Sequence, residues 1–192
     1  MMGEDIRRNI LETFPFIEDI RDAELKHKVV DAWVRAMKES SFEAIENIPF
    51  SLNVPEARLV DHIHFVMEVA RSVGMQAEKT MDIAVDWDLL IASVLLHDVG
   101  KAVEYEYANG TYDRSEIGRK FGHGLWGAHI ALDAGLPLNL AHLISTHTGD
   151  SLQAPQLLEG IILHYADFVY ADMLYFQSGF TTFLAKNKAR RA

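Results

Sequence analysis

His97 and Asp98 stand side by side where the most apolar segment of the chain, Trp87 to Leu96, comes to an end. A carboxylate buried at such a place is costly unless a cation accompanies it. The neighbouring imidazole offers a second donor, and a divalent metal ion would use both as ligands. Lys101, in Leu95-Leu96-His97-Asp98-Val99-Gly100-Lys101, brings an ammonium to the same spot, where it could hold a phosphate oxygen. Gly100 reads as a sharp exit from the helix. Standing alone, a His-Asp pair is as readily a helix end that happens to be polar, so its weight depends on what else the chain brings to it.

Nine histidines are many for 192 residues, and helical position separates them, because each residue advances about 100°. His62 shares a face with Leu59, Val66, Val69 and Val73, whereas His64 points nearly the other way, beside Glu68 and Arg71. A histidine in an apolar stripe faces the interior and needs a partner there. Taken singly, it is more often a hydrogen-bonded core residue than a ligand. His147 repeats the pattern with Leu140, Leu143 and Ile144, while His142 lies about 140° round the helix with Leu138 and Ser145. His123 follows Gly122, and the glycines at 122, 124 and 127 read as permitting close helix approach at a crowded site. Asp167 shares a face with Gly160, Leu163 and Ala171; Asp172 has a similar apolar setting, so periodicity does not choose between them.

The elements that must position these side chains read as helices, so the fold class is all-α. Apolar periodicity places helices over 22–38, about 56–73, 87–98, about 119–134, 137–147 and 155–177. The segment 87–98 is apolar all round, as a central buried helix is. Residues 48–55, punctuated by Pro49 and Pro55, read as a loop, and so do residues 105–118, with an Asn-Gly turn. The tail from Lys186 to Ala192 reads as a fraying, solvated end.

Lys plus Arg is 18 against 28 Asp plus Glu, a formal net charge of −10. That balance disfavours a long nucleic acid as partner, since such binding draws on phosphate neutralisation, but leaves room for a small phosphorylated substrate that meets a local cation. With no cysteine in the chain, thiol catalysis and thiolate metal sites are excluded, and a metal must sit on imidazole, carboxylate and water. The N-terminus has no signal-peptide pattern and no run of apolar residues is long enough to span a membrane. No membrane partner and a cytoplasmic location are therefore expected. Self-association is left open.

Taken in order, His62, His97-Asp98, His123, His147 and Asp167 resemble the HD superfamily of metal-dependent phosphohydrolases. Leu59-Val60-Asp61-His62 is similar to the family's first-histidine helix, and Leu95 to Lys101 to its His-Asp-x-Gly-Lys signature. Gly122-His123 and Ile144-Ser145-Thr146-His147 resemble the further histidines of its dinuclear branch, and Leu163-His164-Tyr165-Ala166-Asp167 its closing aspartate helix. The resemblance covers about residues 58–175, and the HD domain of a bacterial 3′–5′ exoribonuclease is the nearest relative it names. Those exoribonucleases tend to carry paired histidines where this chain has His147-Thr148.

The resemblance implies an HD-domain helical bundle over 51–192 with an N-terminal helical extension over 1–50. It implies one divalent metal on His62, His97, Asp98 and Asp167, and a second on His123 and His147 with Asp98 bridging. Mn, Fe, Co, Ni or Zn would suit such ligands. Asp98 and Lys101 are the catalytic candidates: two ions would activate a water and clamp the reacting oxygens, and Lys101 would stabilise charge on phosphorus oxygens. The implied function is hydrolysis of a small, nucleotide-like phosphoester or phosphodiester. Two alternatives use the same ligand order: a di-iron oxygenase resembling myo-inositol oxygenase, and a non-catalytic regulatory domain with a structural metal.

Overall fold

A computed structural model describes residues 2–149 and 151–189. The first layer is helix α1 (Met2–Thr13), a 3₁₀ turn (Pro15–Asp19) and α2 (Ala23–Glu39). Asp22 starts α2 by accepting hydrogen bonds from the backbone N–H of Glu24 and Leu25 at 2.8 and 3.0 Å, the usual N-cap device. One face of α2 buries Val29, Trp33, Ala36 and Met37. The Trp33 indole N–H donates to the carbonyl of Leu95 at 3.0 Å, which ties this layer to the centre of the molecule.

That centre is α4 (Trp87–Leu96), in which every residue from Leu90 to Leu96 is buried. Asp86 caps it by accepting from the Leu89 N–H at 3.0 Å. Around it pack α2, α3 (Leu59–Met81), α8 (Leu138–Thr146) and α9 (Leu158–Gln177). One continuous apolar core joins Ile10 and Phe14 of the first layer to Leu95, Ile130, Leu140 and Leu163 of the later helices. The short α5 (Lys101–Glu104) and α6 (Glu116–Lys120), with α7 (His123–Asp133), close one end of the bundle, and α10 (Phe183–Ala189) follows α9. No helix among the described residues is long and apolar enough to cross a membrane.

The architecture is the expected all-helical one, with local differences. The helix expected over 56–73 runs from Leu59 to Met81 and ends at Asp82 in the left-handed region, φ 53°. The one expected over 119–134 is two helices, because the backbone leaves helical geometry at Phe121 and Gly122. Both expected loops contain hairpins. Strands β1 (Pro49–Ser51) and β2 (Val54–Arg58) pair antiparallel, as do β3 (Tyr105–Ala108) and β4 (Thr111–Arg114). Asn109 and Gly110, with φ of 54° and 80°, supply the two positive-φ residues of a tight two-residue hairpin. The expected terminal tail begins inside α10, and residues 190–192 lie outside the described residues.

Gly100 differs from its expected role. Its φ of −64° and ψ of −20° are helical, so no glycine is needed for a sharp exit. Space is what requires it: a Cβ there would run into the carbonyl of His123 and the N–H of Gly127. The absent side chain lets the start of α7 rest on the turn after α4. Gly124 and Gly127 make similarly close approaches to α8, whereas Gly122 has open space beside it.

Candidate metal centre

Helix ends deliver five of the six side chains. His62 projects from the first turn of α3, and His97 and Asp98 follow the last turn of α4. His123 is the first residue of α7, His147 follows the last residue of α8, and Asp167 lies midway along α9. Asp98 is the hub, 1% exposed. Its Oδ2 lies 3.3 Å from His62 Nε2 and 3.5 Å from His97 Nε2. Its Oδ1 lies 3.3 Å from His123 Nε2 and 3.5 Å from His147 Nε2. Asp167 Oδ1 stands 3.4 Å from His62 Nε2. The structure thus gathers all six expected residues in one place.

Three of the imidazoles are oriented through their outer nitrogens. His97 Nδ1 and His147 Nδ1 donate to the carbonyls of Val94 and Ile144 at 2.8 and 2.7 Å. His123 Nδ1 donates to Glu104 Oε2 at 2.7 Å. Each ring therefore turns an Nε2 lone pair inward. His62 is the exception, since its Nδ1 is buried with no partner.

The inward atoms fit a cation. His62 Nε2 and His97 Nε2 are only 2.9 Å apart, and Asp98 Oδ2 lies beside both. Neither oxygen of Asp98 has a hydrogen bond although both are buried; Lys101 Nζ is 2.8 Å from Oδ2 but off the hydrogen-bonding direction. Buried carboxylate oxygens left without hydrogen bonds are unfavourable by themselves. A divalent ion with bonds of about 2.1 Å spaces its ligands roughly 3.0–3.4 Å apart, close to the distances found. Among the described residues, two groups have ligand atoms mutually close enough to hold an ion, His62 with His97 and Asp98, and Asp98 with His123 and His147.

At His62 and His97 the local charges agree, whereas at His147 burial is outweighed by Asp98, which raises the imidazole. Burial pushes His97 down to about 3, against the pull of Asp98, and burial likewise lowers His62, so both rings are neutral donors at ordinary pH. Burial would raise Asp98, but the Lys101 ammonium and then the surrounding imidazoles hold it well below the usual carboxylate range. Burial would depress Lys101, yet Asp98 more than offsets this and raises it. Lys101 is therefore an ammonium, only 5% exposed, lying 4.0 Å from the centre of the Phe50 ring in a cation–π arrangement.

The other candidates sit elsewhere. His64 turns its Nε2 to the carbonyl of Thr13 at 2.7 Å and its ring to Phe16, so it secures the first layer. His142 Nε2 accepts from the Gln156 N–H at 3.1 Å. Asp172 caps α10, accepting from the Phe183 and Leu184 N–H at 2.6 and 3.1 Å, which leaves Asp167 as the aspartate of the cluster.

A cavity of about 380 Å³ opens onto the cluster. Asp98, Lys101, His123, His147 and Asp167 form one part of its wall, and Phe50, Phe168, Tyr175 and Phe183 an aromatic part. Glu104 and Arg114 line it as well, and sequence reasoning passed over both. Glu104 is 3% exposed and accepts from Arg114 Nη1 at 2.6 Å in addition to His123. Its position three residues after Lys101, one turn further along the same face, was the available signal. Burial would raise the Glu104 carboxyl, but the His123 hydrogen bond, with Arg114 nearby, holds it below its ordinary value.

The chain resembles, at 27% identity over 161 residues, the dihydroneopterin 2',3'-cyclic phosphate phosphodiesterase of Methanocaldococcus jannaschii; the match takes in 78% of this chain and 64% of that protein, so this chain spans just under two thirds of the relative's length. No solved structure gives a significant match. Residues 59–172 match the family described as the HD domain, a stretch that runs from the first turn of α3 through Asp167 and takes in every residue of the cluster. With that match over more than half of its length, the chain belongs to the HD domain family.

Proposed function

We propose that this chain is a metal-dependent phosphohydrolase acting on a small phosphoester, with a phosphodiester attached to a planar heterocycle as the preferred class. The carrying observation is a buried carboxylate, Asp98, whose two oxygens each face a different pair of imidazoles beside a buried ammonium at the wall of a cavity. His62, His97, Asp98 and Asp167 would hold one divalent ion and His123, His147 and Asp98 a second, drawn from Mn, Fe, Co, Ni or Zn. Such a pair of ions supplies an activated water and a clamp for the attacking and leaving oxygens of an in-line displacement at phosphorus.

The protein's own groups do the rest. Lys101 donates to a non-bridging phosphoryl oxygen and offsets the charge that gathers there. Its pairing with Asp98 keeps it protonated, and the Phe50 ring fixes its direction. Phe168, Tyr175 and Phe183 line the same cavity and offer aromatic surface to the rest of the substrate. The relative's substrate, a pterin carrying a cyclic phosphodiester by its name, is of this chemical class. Water adds to phosphorus, one P–O ester bond breaks, and the products are a phosphomonoester and a free hydroxyl.

A metal-supplemented screen of cyclic nucleotides, other phosphodiesters and phosphomonoesters, run without dioxygen, tests this. Hydrolysis of at least one diester is expected. Inertness in that screen, coupled with dioxygen consumption in the presence of a polyol or phosphonate, would favour the oxygenase chemistry instead.

A further inference from the structure

We propose that Glu104 is the positioning residue that selects the metal-binding tautomer of His123, and that Arg114 determines whether the residue at 104 can do so. The proposal takes His123 as a metal ligand and so rests on the metal centre proposed above. Glu104 spends its two oxygens on two different donors: Oε2 accepts from His123 Nδ1 at 2.7 Å and Oε1 from Arg114 Nη1 at 2.6 Å. A carboxylate has no hydrogen to give. Its partner nitrogen must therefore carry the proton, and Nε2 of His123, which faces Asp98 Oδ1 at 3.3 Å, is left with its lone pair free. His97 and His147 obtain the same orientation from carbonyls of their own helices. His123 begins its helix and has no preceding turn to use, so a carboxylate from another element fills that role.

Glu104 itself is held from several sides. Its backbone carbonyl accepts from the Ser115 N–H at 2.9 Å, and Gly118 packs so close to it that a Cβ would collide. Ser115 also donates from its hydroxyl to Val103 O at 2.6 Å. The end of the β3–β4 hairpin and α6 thus wrap Glu104, and Arg114, the last residue of β4, reaches it from that hairpin. Arg114 Nη1 bonds the carbonyl of Gly118 too, at 3.2 Å.

A specific consequence follows for the amide. Glu104→Gln leaves one oxygen for two donors. The guanidinium is charged, so the oxygen goes to Arg114 and the NH₂ faces His123 Nδ1. That arrangement requires Nδ1 to be the acceptor and puts the proton on Nε2, where it blocks ligation. Removing Arg114 as well, in Glu104→Gln/Arg114→Leu, frees the amide oxygen to turn to His123 and restores the original tautomer. A residue that merely fills space at 104 would show no such rescue. One that merely balances charge would make Arg114→Leu alone bind the second ion more tightly than the parent, whereas the tautomer argument predicts parental binding there.

The test is metal affinity, read by competition with a chromophoric chelator on the purified chain titrated with Zn²⁺, for the parent, Glu104→Gln, Arg114→Leu, the double variant and His123→Ala. The first ion, on His62, His97, Asp98 and Asp167, serves as the internal control for folding. Glu104→Gln is expected to weaken the second ion alone, roughly 10- to 100-fold, as loss of an orienting partner does, and the double variant to regain most of that affinity. Parental second-ion affinity in Glu104→Gln, while His123→Ala loses it, overturns the proposal and leaves the metal centre standing. A double variant as weak as Glu104→Gln overturns the tautomer argument. If His123→Ala binds two ions as the parent does, both the proposal and the ligand role of His123 fall. If Glu104→Gln alone does not fold, the double variant compared with Glu104→Leu/Arg114→Leu, which has no acceptor at 104, decides: weaker second-ion binding in the latter supports the proposal, and equal binding overturns it.

Discussion

Two histidines two residues apart on α3 have opposite environments. His62 is fully buried against Asp98 and Asp167, and His64 hydrogen-bonds the carbonyl that ends α1. His62→Ala should therefore lose bound metal, while His64→Ala should keep it and instead lower the unfolding midpoint, by the loss of one hydrogen bond and of packing on Phe16. Elemental analysis and thermal melts of the two variants separate these outcomes; metal loss from His64→Ala alone would reverse the assignment. Lys101→Ala should keep the metals and lower kcat by roughly a hundredfold or more, whereas full activity would remove Lys101 from the mechanism. At this scale the sequence was informative, because the 100° advance per residue separated His62 from His64 and His147 from His142. Periodicity could not separate Asp167 from Asp172, which share an apolar setting. The family resemblance named Asp167, and in the structure Asp167 Oδ1 lies 3.4 Å from His62 Nε2 while Asp172 caps α10. Glu104 was missed because its partner His123 is 19 residues away, a distance over which no periodicity runs.

Among the elements, the contact between the turn after α4 and the start of α7 is the tightest one in the site. Gly100→Ala would push the His123 backbone outward. It should lower stability by about 1–3 kcal/mol, as overpacking does, and weaken the second metal ion before the first. A chelator titration with a parallel denaturant melt checks this, and an unchanged melt would mean that the close approach is not maintained in solution. Most of the long helices were readable from their apolar periodicity with ends off by a few residues, but α3 runs on to Met81, eight residues past its expected end at 73, and the helix expected over 119–134 is two. The hairpins were not. β4 exposes all four of its residues and β3 buries only Tyr105, so neither has the alternation that marks a half-buried strand. Asn109-Gly110 was legible as a turn, but a turn does not reveal what it joins. β1 is three residues long and opens on Pro49, which in sequence is punctuation.

Over the whole molecule, the first layer and the helices of the matched stretch share one core, and a small polar cluster fastens α1 to the segment between α2 and β1. Glu46 accepts from Asn9 Nδ2 at 3.1 Å and from Thr13 Oγ1 at 2.9 Å. Partial burial would raise its carboxyl, but its backbone and side-chain hydrogen bonds hold it below the ordinary 4.5. A carboxyl lowered by folding stabilises the folded state above its unfolded pKa and loses that contribution as pH falls through its folded pKa. Glu46→Ala should therefore cost about 1–2 kcal/mol at neutral pH and progressively less below about pH 4. Urea melts of parent and variant at the two pH values test it, and an equal difference at both would contradict it. The net charge of −10 disfavours a polyanion. The cavity wall sets two cations, Lys101 and Arg114, against three carboxylates, Asp98, Glu104 and Asp167, so a small anionic substrate would draw its attraction from the metal ions those carboxylates would hold.

The central claim is that turnover and metal binding meet at Asp98. It is tested most directly by measuring hydrolysis of a 2',3'-cyclic nucleotide by the metal-reconstituted parent and by Asp98→Ala, without dioxygen, with the metal content of each sample determined alongside. Phosphomonoester formation by a parent carrying close to two ions per chain is predicted, with no detectable turnover and depleted metal in the variant. Equal turnover by Asp98→Ala and the parent, or hydrolysis by the parent that persists after its metal has been stripped, would contradict the account.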